Sequence, residues 1–222
     1  KTDPSLSLRI GDSAVERAPL DKWSKILELR NAWRNTLGRA IAKTDIVLQI
    51  VESNYTSLNK CIIYCANKQH LDRTSVLLSQ RNWIVEPYDS HVPKEIREKI
   101  RKKFSLKHSG QPLFIGAIKC LDEGIDLPAL DSAILVSSSR TEREWIQRRG
   151  RILRKHPDKE YSIIHDFILL PYLTVEEAST VTKQEVDYIA AELDRLSAFA
   201  ADASNSDSVL AEIKRLKQLF SI

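Results

Sequence analysis

The sequence is poor in the features that mark membrane-spanning, secreted and metal-binding proteins. It has no methionine, and none of its apolar runs is long enough to cross a bilayer. The first residues carry no signal-peptide pattern, and Cys61, Cys65 and Cys120 form an odd set without the spacing of a metal site. We interpret Cys61 and Cys65, which lie in an apolar run, as small buried hydrophobic residues. These absences predict a cytoplasmic protein without a membrane partner, and a first residue other than Met favours a piece of a longer chain.

Charge and composition are those of a globular protein. The 34 Lys and Arg residues against 30 Asp and Glu residues give a net charge of +4, and 42% of the residues are hydrophobic. That fraction is enough for one large core, or for a core with an appendage. The mild excess of positive charge is compatible with a nucleic-acid partner but does not by itself indicate one.

Residues 61 to 165 alternate between short apolar runs and amphipathic segments. Continuous apolar runs suit strands that are buried on both faces, and helices between them suit a parallel sheet. We therefore predict a three-layer α/β fold in which the carboxyl ends of the strands form one ligand-binding edge. The predicted strands are 61–65, 83–86, 112–117, 133–136 and 161–165, and the predicted helices are 67–80, 93–104 and a segment beginning near 141.

Helical patterns flank this alternating region on both sides. Apolar residues recur every three or four positions from about residue 20 to residue 51, with a second helix start at Thr44-Asp45. Two further helices are predicted at about 175–200 and 208–220. The chain is accordingly divided into an N-terminal arm with linking helices (1–57), an α/β domain (58–170) and a C-terminal helical extension (171–222).

One stretch combines a capped helix with a row of basic residues. Residues 141 to 144 have the spacing of a capping box, and on the following helix Gln147, Arg151 and Arg154 project from one side. Gly150 has no side chain, so another surface can approach the backbone there. Two arginines beside a glycine suit a polyphosphate, because each guanidinium donates parallel hydrogen bonds. The alternative is a solvated helix end, since arginine near a helix C-terminus stabilises the helix dipole.

A second motif follows the third predicted strand. Gly124, Asp126 and Pro128 form a Gly-x-Asp-x-Pro pattern. A glycine at a sheet edge allows close approach of a ligand, and a fixed carboxylate beside it can accept hydrogen bonds from ribose hydroxyls. Alone, the pattern is also that of an ordinary turn. The turn interpretation is outweighed because the basic helix follows about twenty residues later on the same alternating framework. Two such patterns are unlikely to occur together by chance.

Together these patterns resemble the motifs of the superfamily 2 helicases. The Gln-x-x-Gly-Arg-x-x-Arg pattern resembles motif VI, the Gly-x-Asp-x-Pro pattern resembles motif V, and residues 61–67 resemble motif IV. The resemblance covers roughly residues 58 to 167 and implies the second RecA-like domain of a DEAD/DEAH-like helicase. The residues of motif V are most similar to those of the helicases in restriction and repair systems. Ala117 stands where many members carry a Ser or Thr that touches a phosphate, and a backbone N–H or Lys119 could supply that contact instead.

The resemblance implies roles in ATP hydrolysis for five residues. Arg151 and Arg154 are implied as arginine fingers, one or both of which contact the γ-phosphate. Gln147 is implied to position the nucleotide, and Gly124 and Asp126 to line it from the motif V side.

The same resemblance implies a nucleic-acid partner, with DNA favoured over RNA. The loops after the first three predicted strands supply the candidate contacts, which are Asn67, Lys68, Ser90 and Lys119. Contacts from such loops go mainly to the nucleic-acid backbone.

The resemblance also implies a first RecA-like domain that this chain lacks. The sequence has no Gly-x-x-x-x-Gly-Lys-Ser/Thr loop and no Asp-Glu-x-His or Asp-Glu-Ala-Asp box, and Asp122-Glu123 belongs to motif V. ATP and Mg²⁺ are expected in the full-length enzyme, bound mainly by the first domain upstream. This chain alone is predicted to be inactive, without a tightly bound cofactor or metal.

Two other interpretations stay open. The chain could be a non-catalytic nucleic-acid-binding or assembly module that keeps a helicase-like shape, in which case no phosphate loop and acidic box would precede it. It could also be a Rossmann-type domain that binds a nucleotide alone, although the missing Gly-rich first turn argues against this.

Overall fold

The protein is described here from a computed structural model. The structure describes residues 6–8, 16–18, 41–54, 58–89, 91–106, 110–118, 130–136, 150, 152, 156–157, 159–166, 168, 170 and 182–222.

A five-stranded parallel sheet forms the centre of the molecule. Its strands follow the spatial order β4-β5-β3-β6-β7, and each neighbouring pair is parallel. The chain starts in the middle, crosses to one side for β4 and β5, and then crosses back for β6 and β7. A separate antiparallel pair joins β1 (Leu6–Leu8) and β2 (Glu16–Ala18). The sheet strands are β3 (Lys60–Cys65), β4 (Val85–Tyr88), β5 (Leu113–Ile118), β6 (Ser132–Leu135) and β7 (Ile163–Asp166).

Helices cover both faces of this sheet, so the predicted three-layer α/β fold is confirmed. One face packs against α1 and α2, and the other packs against α3, the helical residue Ile152 and Phe199 of α4. The alternation of side chains along a strand explains the division, because odd-numbered residues of β3 lie in one cluster and even-numbered ones in the other. The helices are α1 (Ile41–Asn54), α2 (Lys68–Ser79), α3 (Lys94–Ser105), α4 (Lys183–Ala200) and α5 (Ser206–Leu219).

The predicted strand at 83–86 is displaced toward the C-terminus in the structure. Trp83 belongs to the end of α2, where its backbone N–H donates to the carbonyl of Leu78 over 3.1 Å. Asn82 adopts a φ of 60°, the left-handed conformation that commonly ends a helix. The ladder therefore begins only at Val85.

Two predicted helix starts also differ from the structure. Thr44 lies inside the continuous helix α1 and is buried, so it faces the core instead of beginning a second helix. Helix α4 begins at Lys183, where Thr182 and Glu185 form a reciprocal capping box. The predicted start of this helix, near residue 175, lies outside the described residues.

Helix α1 shares the core of the sheet. Val47 and Val51 are fully buried in the same cluster as Ile63 of β3 and Leu71 of α2. Close packing also explains Gly116 in β5, because a Cβ placed there would lie 2.1 Å from a methyl carbon of Leu71. The division of the chain at residues 57 and 170 stays a prediction.

A buried ionic group attaches α4 to the end of β7. The guanidinium of Arg195 donates to both carboxylate oxygens of Asp166, and its second nitrogen lies 3.1 Å from Glu192. The side chains of Arg195 and Asp166 are only 8% and 6% exposed, so water hardly screens their interaction. Although burial opposes the charge, Asp166 and Glu192 raise the pKa of Arg195. Helix α4 is thus bound to the sheet by charge as well as by apolar contact.

We predict that Arg195→Met destabilises the 222-residue chain by about 3–5 kcal/mol, because it removes the guanidinium that binds the buried carboxylate of Asp166 and the carboxylate of Glu192. Chemical denaturation followed by circular dichroism measures the change. The control is Arg101→Ala, which removes an exposed pair with Glu98 and should change the stability by less than about 1 kcal/mol. Equal effects of the two substitutions would contradict the assignment of the Arg195 group as a structural attachment.

Candidate nucleotide and nucleic-acid site

The carboxyl ends of the central strands meet at one edge of the sheet. Cys65, the last residue of β3, pairs with Ile118 at the end of β5, and Tyr64 pairs with Leu135 at the end of β6. The loop that leaves β3 therefore begins between the ends of its two neighbours. Since β5 lies on one side of β3 and β6 on the other, the connections run in opposite directions from this point. In open parallel sheets, ligands bind where the direction of the connections switches.

Asn67 occupies that loop and caps helix α2. Its side-chain oxygen accepts a hydrogen bond from the backbone N–H of His70 over 2.9 Å. The cap fixes the first turn of α2 at the sheet edge, where free backbone N–H groups and the helix dipole favour a negatively charged ligand. Asn67 thus has a structural role as an N-cap, and its predicted contact with nucleic acid would be made in addition to that role.

Lys68 follows as the first residue of α2 and is exposed. Its ammonium lies 2.9 Å from the carboxylate of Asp72, and both side chains are more than half exposed. The hydrogen bond with Asp72 raises the pKa of Lys68, and the charge of Asp89 adds to the effect. Exposed pairs of this kind contribute little stability, so the ammonium is available to exchange Asp72 for a phosphate.

A buried carboxylate follows directly after the edge strand β4. Asp89 accepts a hydrogen bond from the backbone N–H of His91 over 2.8 Å, and the imidazole of His91 lies 3.4 Å from the same oxygen. This arrangement is a turn stabilised by its own side chain. It fixes the two ends of the segment that contains Ser90.

His70 lies in the first turn of α2, behind the exposed edge. It is 4% exposed, and neither ring nitrogen finds a hydrogen-bond partner among the described residues. Burial, assisted by the positive charges of Lys43 and Arg73, lowers the pKa of His70 to about 4. The imidazole is therefore neutral at physiological pH, and a proton can reach it only at the cost of a buried charge.

A second group of polar contacts fixes Ile152, the residue that follows Arg151. The Ile152 side chain is fully buried against the sheet. Its carbonyl oxygen accepts one hydrogen bond from the ammonium of Lys159 over 2.6 Å and another from the hydroxyl of Ser162 over 3.0 Å. Two side-chain donors on the same carbonyl oxygen hold the backbone of the helical residue Ile152 in place.

Lys159 also binds the segment that follows motif V. Its ammonium donates to the carbonyl of Leu130 over 3.0 Å, and Leu130 stands four positions after Asp126. The next residue, Asp131, accepts a hydrogen bond from the backbone N–H of Lys60 over 3.1 Å and so joins β3 to β6. Burial lowers the pKa of Lys159, and the charge of Asp131 opposes that shift. A single ammonium thus connects the chain on the far side of motif V to the helix of motif VI.

Most of the predicted site residues lie outside the described residues. The structure gives the positions of Asn67 and Lys68 at the sheet edge, and it gives the neighbours on either side of Ser90. Gly150, between Gln147 and Arg151, is helical and exposed, and a Cβ placed there would meet no heavy atom of the described chain within 4 Å. The residues outside the description are Ser90, Lys119, Gly124, Asp126, Gln147, Arg151 and Arg154.

Lys159 and Ser162 were missed by the sequence reasoning. The signal available for Lys159 was the tight turn 156–159, in which Pro157 occupies the second position and the Lys159 N–H donates to the carbonyl of His156 over 3.0 Å. Such a turn brings the chain back on itself, so the side chains that follow it can contact residues that precede it. Asp166 and Arg195, separated by 29 positions, leave no comparable local signal.

The described part of the chain contains no cluster of three or more His, Cys, Asp or Glu side chains that could hold a metal ion. The two cysteines described there, Cys61 and Cys65, are buried, and burial raises the pKa of each thiol to about 12. They are therefore protonated and poor ligands or nucleophiles. Among the helices within the described ranges, none is long and apolar enough to cross a membrane.

Comparison with known families decides the assignment. Residues 42–156 match the helicase conserved C-terminal domain, which is more than half of the chain. The chain belongs to the helicase C-terminal domain family. The prediction of a second RecA-like domain of a superfamily 2 helicase is thereby confirmed, and its assignment to the restriction and repair type stays a prediction.

Individual relatives extend beyond this helicase C-terminal domain. The DNA 3′-5′ translocase XPB2 of Sulfurisphaera tokodaii is 30% identical over 151 residues, which are 68% of this chain and 32% of the translocase. The chain thus spans about a third of the length of that relative. Among solved structures, the C-terminal part of the Fun30 ATPase domain is similar, with a TM-score of 0.49 and 17% sequence identity. The match covers 64% of this chain and 47% of the Fun30 chain. The C-terminal domain of the DEAD-box protein Dbp5 is similar with a TM-score of 0.46 and 18% sequence identity, and the match covers 58% of this chain and 72% of the Dbp5 chain.

We predict that the stability of the chain falls as the pH is lowered from about 6.5 to about 4, and that His70→Leu weakens this dependence. The folded-state pKa of His70 is lowered to about 4, so across this window the unfolded chain takes up a proton that the folded chain refuses. Below the folded-state pKa both states are protonated and the loss levels off.

Urea denaturation at several pH values measures the effect. Burial also lowers the pKa of His165, so the His70→Leu chain should retain part of the slope. Val76→Ala, at an exposed residue of α2 that does not titrate, is the control and should keep the wild-type slope. An unchanged slope in His70→Leu would show that the imidazole is already charged in the folded protein.

Proposed function

We propose that this chain is the second motor domain of an ATP-dependent helicase or translocase that acts on DNA. The match of residues 42–156 to the helicase C-terminal domain supports the motor assignment. The observation that carries the proposal is the double contact of Lys159, which joins the flanks of motifs V and VI in one small region. Two motifs that share a support can act on a single nucleotide.

In this proposal the arginine side of motif VI completes an ATP pocket whose phosphate loop belongs to the first domain. Arg151 and Arg154, one or both of them, contact the γ-phosphate and stabilise the negative charge that grows on it in the transition state. Gln147 positions the nucleotide, while Gly124 and Asp126 line it. Gly150 supports the assignment, because its exposed backbone leaves room for a second surface to approach.

The donor set of the described residues does not suit Mg²⁺. Magnesium prefers carboxylate oxygens and phosphates in an octahedral arrangement, and no acidic cluster occurs in the part of the chain that the structure describes. In this proposal the ion expected in the full-length enzyme is bound mainly by the first domain, and this chain contributes guanidinium groups. Because the arginines reach ATP only when the two domains close, binding and hydrolysis would drive closing and opening.

The nucleic-acid contacts in this proposal lie along the carboxyl edge of the sheet. Lys68 supports the assignment, since it is exposed and pairs with the exposed carboxylate of Asp72. Asn67, Ser90 and Lys119 are the other proposed contacts, mainly to the phosphate backbone. DNA is preferred over RNA because XPB2, 30% identical to this chain over 151 residues, is a DNA translocase.

We predict that Arg151→Ala or Arg154→Ala in the full-length protein lowers ATP turnover at least about tenfold while nucleotide binding is largely kept, since an arginine finger acts mainly on the transition state. Steady-state hydrolysis with saturating DNA and a fluorescent-nucleotide titration measure the two quantities. The isolated 222-residue chain should show no steady turnover.

The control is Arg215→Ala, which removes an exposed arginine from α5 and should leave turnover unchanged. Wild-type turnover in both motif VI variants would contradict the finger assignment. Turnover by the isolated chain would contradict the shared pocket. A non-catalytic module would instead keep DNA binding in a full-length protein that never hydrolyses ATP.

A further inference from the structure

We propose that Lys159 is a positioning residue for ATP hydrolysis, which sets the register of the arginine-bearing helix against the motif V segment. The inference rests on the proposed function of Arg151 and Arg154, and it adds a residue that belongs to neither motif.

The first reason is the double use of one ammonium. Lys159 donates to the carbonyl of Ile152 over 2.6 Å and to that of Leu130 over 3.0 Å. A lysine ammonium has three donors, and two of them are fixed here on backbone atoms of different segments. A side chain that binds two backbones at once restrains their relative position.

The second reason is the place of Ile152 in the sequence. It lies between Arg151 and Arg154, so any shift of its backbone moves both guanidinium groups. Its side chain is fully buried against the sheet, which prevents the helix from rotating about its axis. The remaining freedom is a slide along the axis, and the hydrogen bonds from Lys159 and Ser162 to the Ile152 carbonyl oppose that slide.

The third reason is the rigidity of the supporting structure. Leu130 precedes Asp131, whose carboxylate accepts hydrogen bonds from Lys60 N–H over 3.1 Å and from the Ser132 hydroxyl over 2.9 Å. The carbonyl of Asp131 also accepts from the N–H of Ile163 over 2.9 Å. Lys159 therefore attaches the helix to a junction that three strands already hold.

The consequence for hydrolysis is geometric. An arginine finger works only when its donors face the oxygens on which charge develops, and a misplacement of about 1 Å can cost about a hundredfold in rate. Loss of Lys159 should leave the arginines present but loosely placed. Nucleotide affinity depends mainly on the phosphate loop of the first domain and should change little.

The test uses the full-length protein with saturating DNA. Lys159→Met keeps the length of the side chain and removes its donors, and we expect the turnover number to fall about tenfold with the KM for ATP within about twofold of wild type. Lys159→Arg can again donate to two carbonyls and should recover most of the turnover. Should Lys159→Met fail to fold, Ser162→Ala removes the other donor to Ile152 and should lower turnover in the same direction by a smaller factor.

Lys60→Met is the matched control. Lys60 is buried, and its ammonium likewise donates to a backbone carbonyl, that of Leu106, over 2.6 Å, but this carbonyl follows α3 and is not part of motif V or motif VI. This variant should lose stability while keeping the wild-type turnover number below its unfolding temperature. An equal loss of turnover in Lys60→Met and Lys159→Met would overturn the inference.

A double-mutant cycle separates this inference from the proposed function. If Lys159 acts through the arginines, Lys159→Met should cause little further loss once the active arginine is replaced by alanine. A full additional tenfold loss in that background would overturn the positioning role. Normal turnover in Lys159→Met, with turnover lost in the arginine variants, would overturn the positioning role alone. Normal turnover in the arginine variants would overturn the proposed function and the positioning role with it.

Discussion

The central strand β3 is the constraint on which the rest of the molecule depends. All six of its residues are buried, and it pairs in parallel with both β5 and β6. A strand with neighbours on both sides and helices on both faces must be apolar throughout, as Cys61 to Cys65 are. Because its neighbours are parallel to it, the loops after β3, β5 and β6 leave from the same edge. The predicted DNA contacts and motif V begin at that edge for this reason.

Polar groups within the apolar layers hold this arrangement together at three points. Asp131 joins the starts of β3, β6 and β7, because its carboxylate accepts from Lys60 N–H and its backbone carbonyl accepts from Ile163 N–H. Lys159 connects that junction to the motif VI helix. Arg195 binds the carboxylate of Asp166 at the other end of β7. Each group is partly or fully removed from water, where hydrogen bonds and charges are strong and the loss of one partner is costly. The sheet supplies the shape, and these contacts fix how the attached helices sit on it.

The elements of the sheet could be predicted because their signals are local. The apolar run at Cys61 to Cys65 and the helical pattern at 67–80 each depend on a few adjacent residues, and the structure contains both a strand and a helix there. β4 begins later than predicted because the backbone N–H of Trp83 bonds to Leu78 at the end of α2. The left-handed conformation of Asn82 makes that bond possible. The Arg195–Asp166 group and the double contact of Lys159 depend on residues brought together by the fold. The roles of the motif V and VI side chains are predictions from the sequence pattern. The contacts of Leu130 and Ile152 with Lys159 support these predictions, because they connect the chain after motif V to the helix of motif VI.

The central claim is that the motif VI arginines complete an ATP pocket shared with another domain. A structure of the full-length protein with ADP and an aluminium fluoride mimic of the transferred phosphate tests it most directly. The account predicts a guanidinium nitrogen of Arg151 or Arg154 at hydrogen-bond distance, about 3 Å, from the fluoride group. A closed nucleotide pocket in which both arginines point away from the mimic, with another segment in their place, would contradict it.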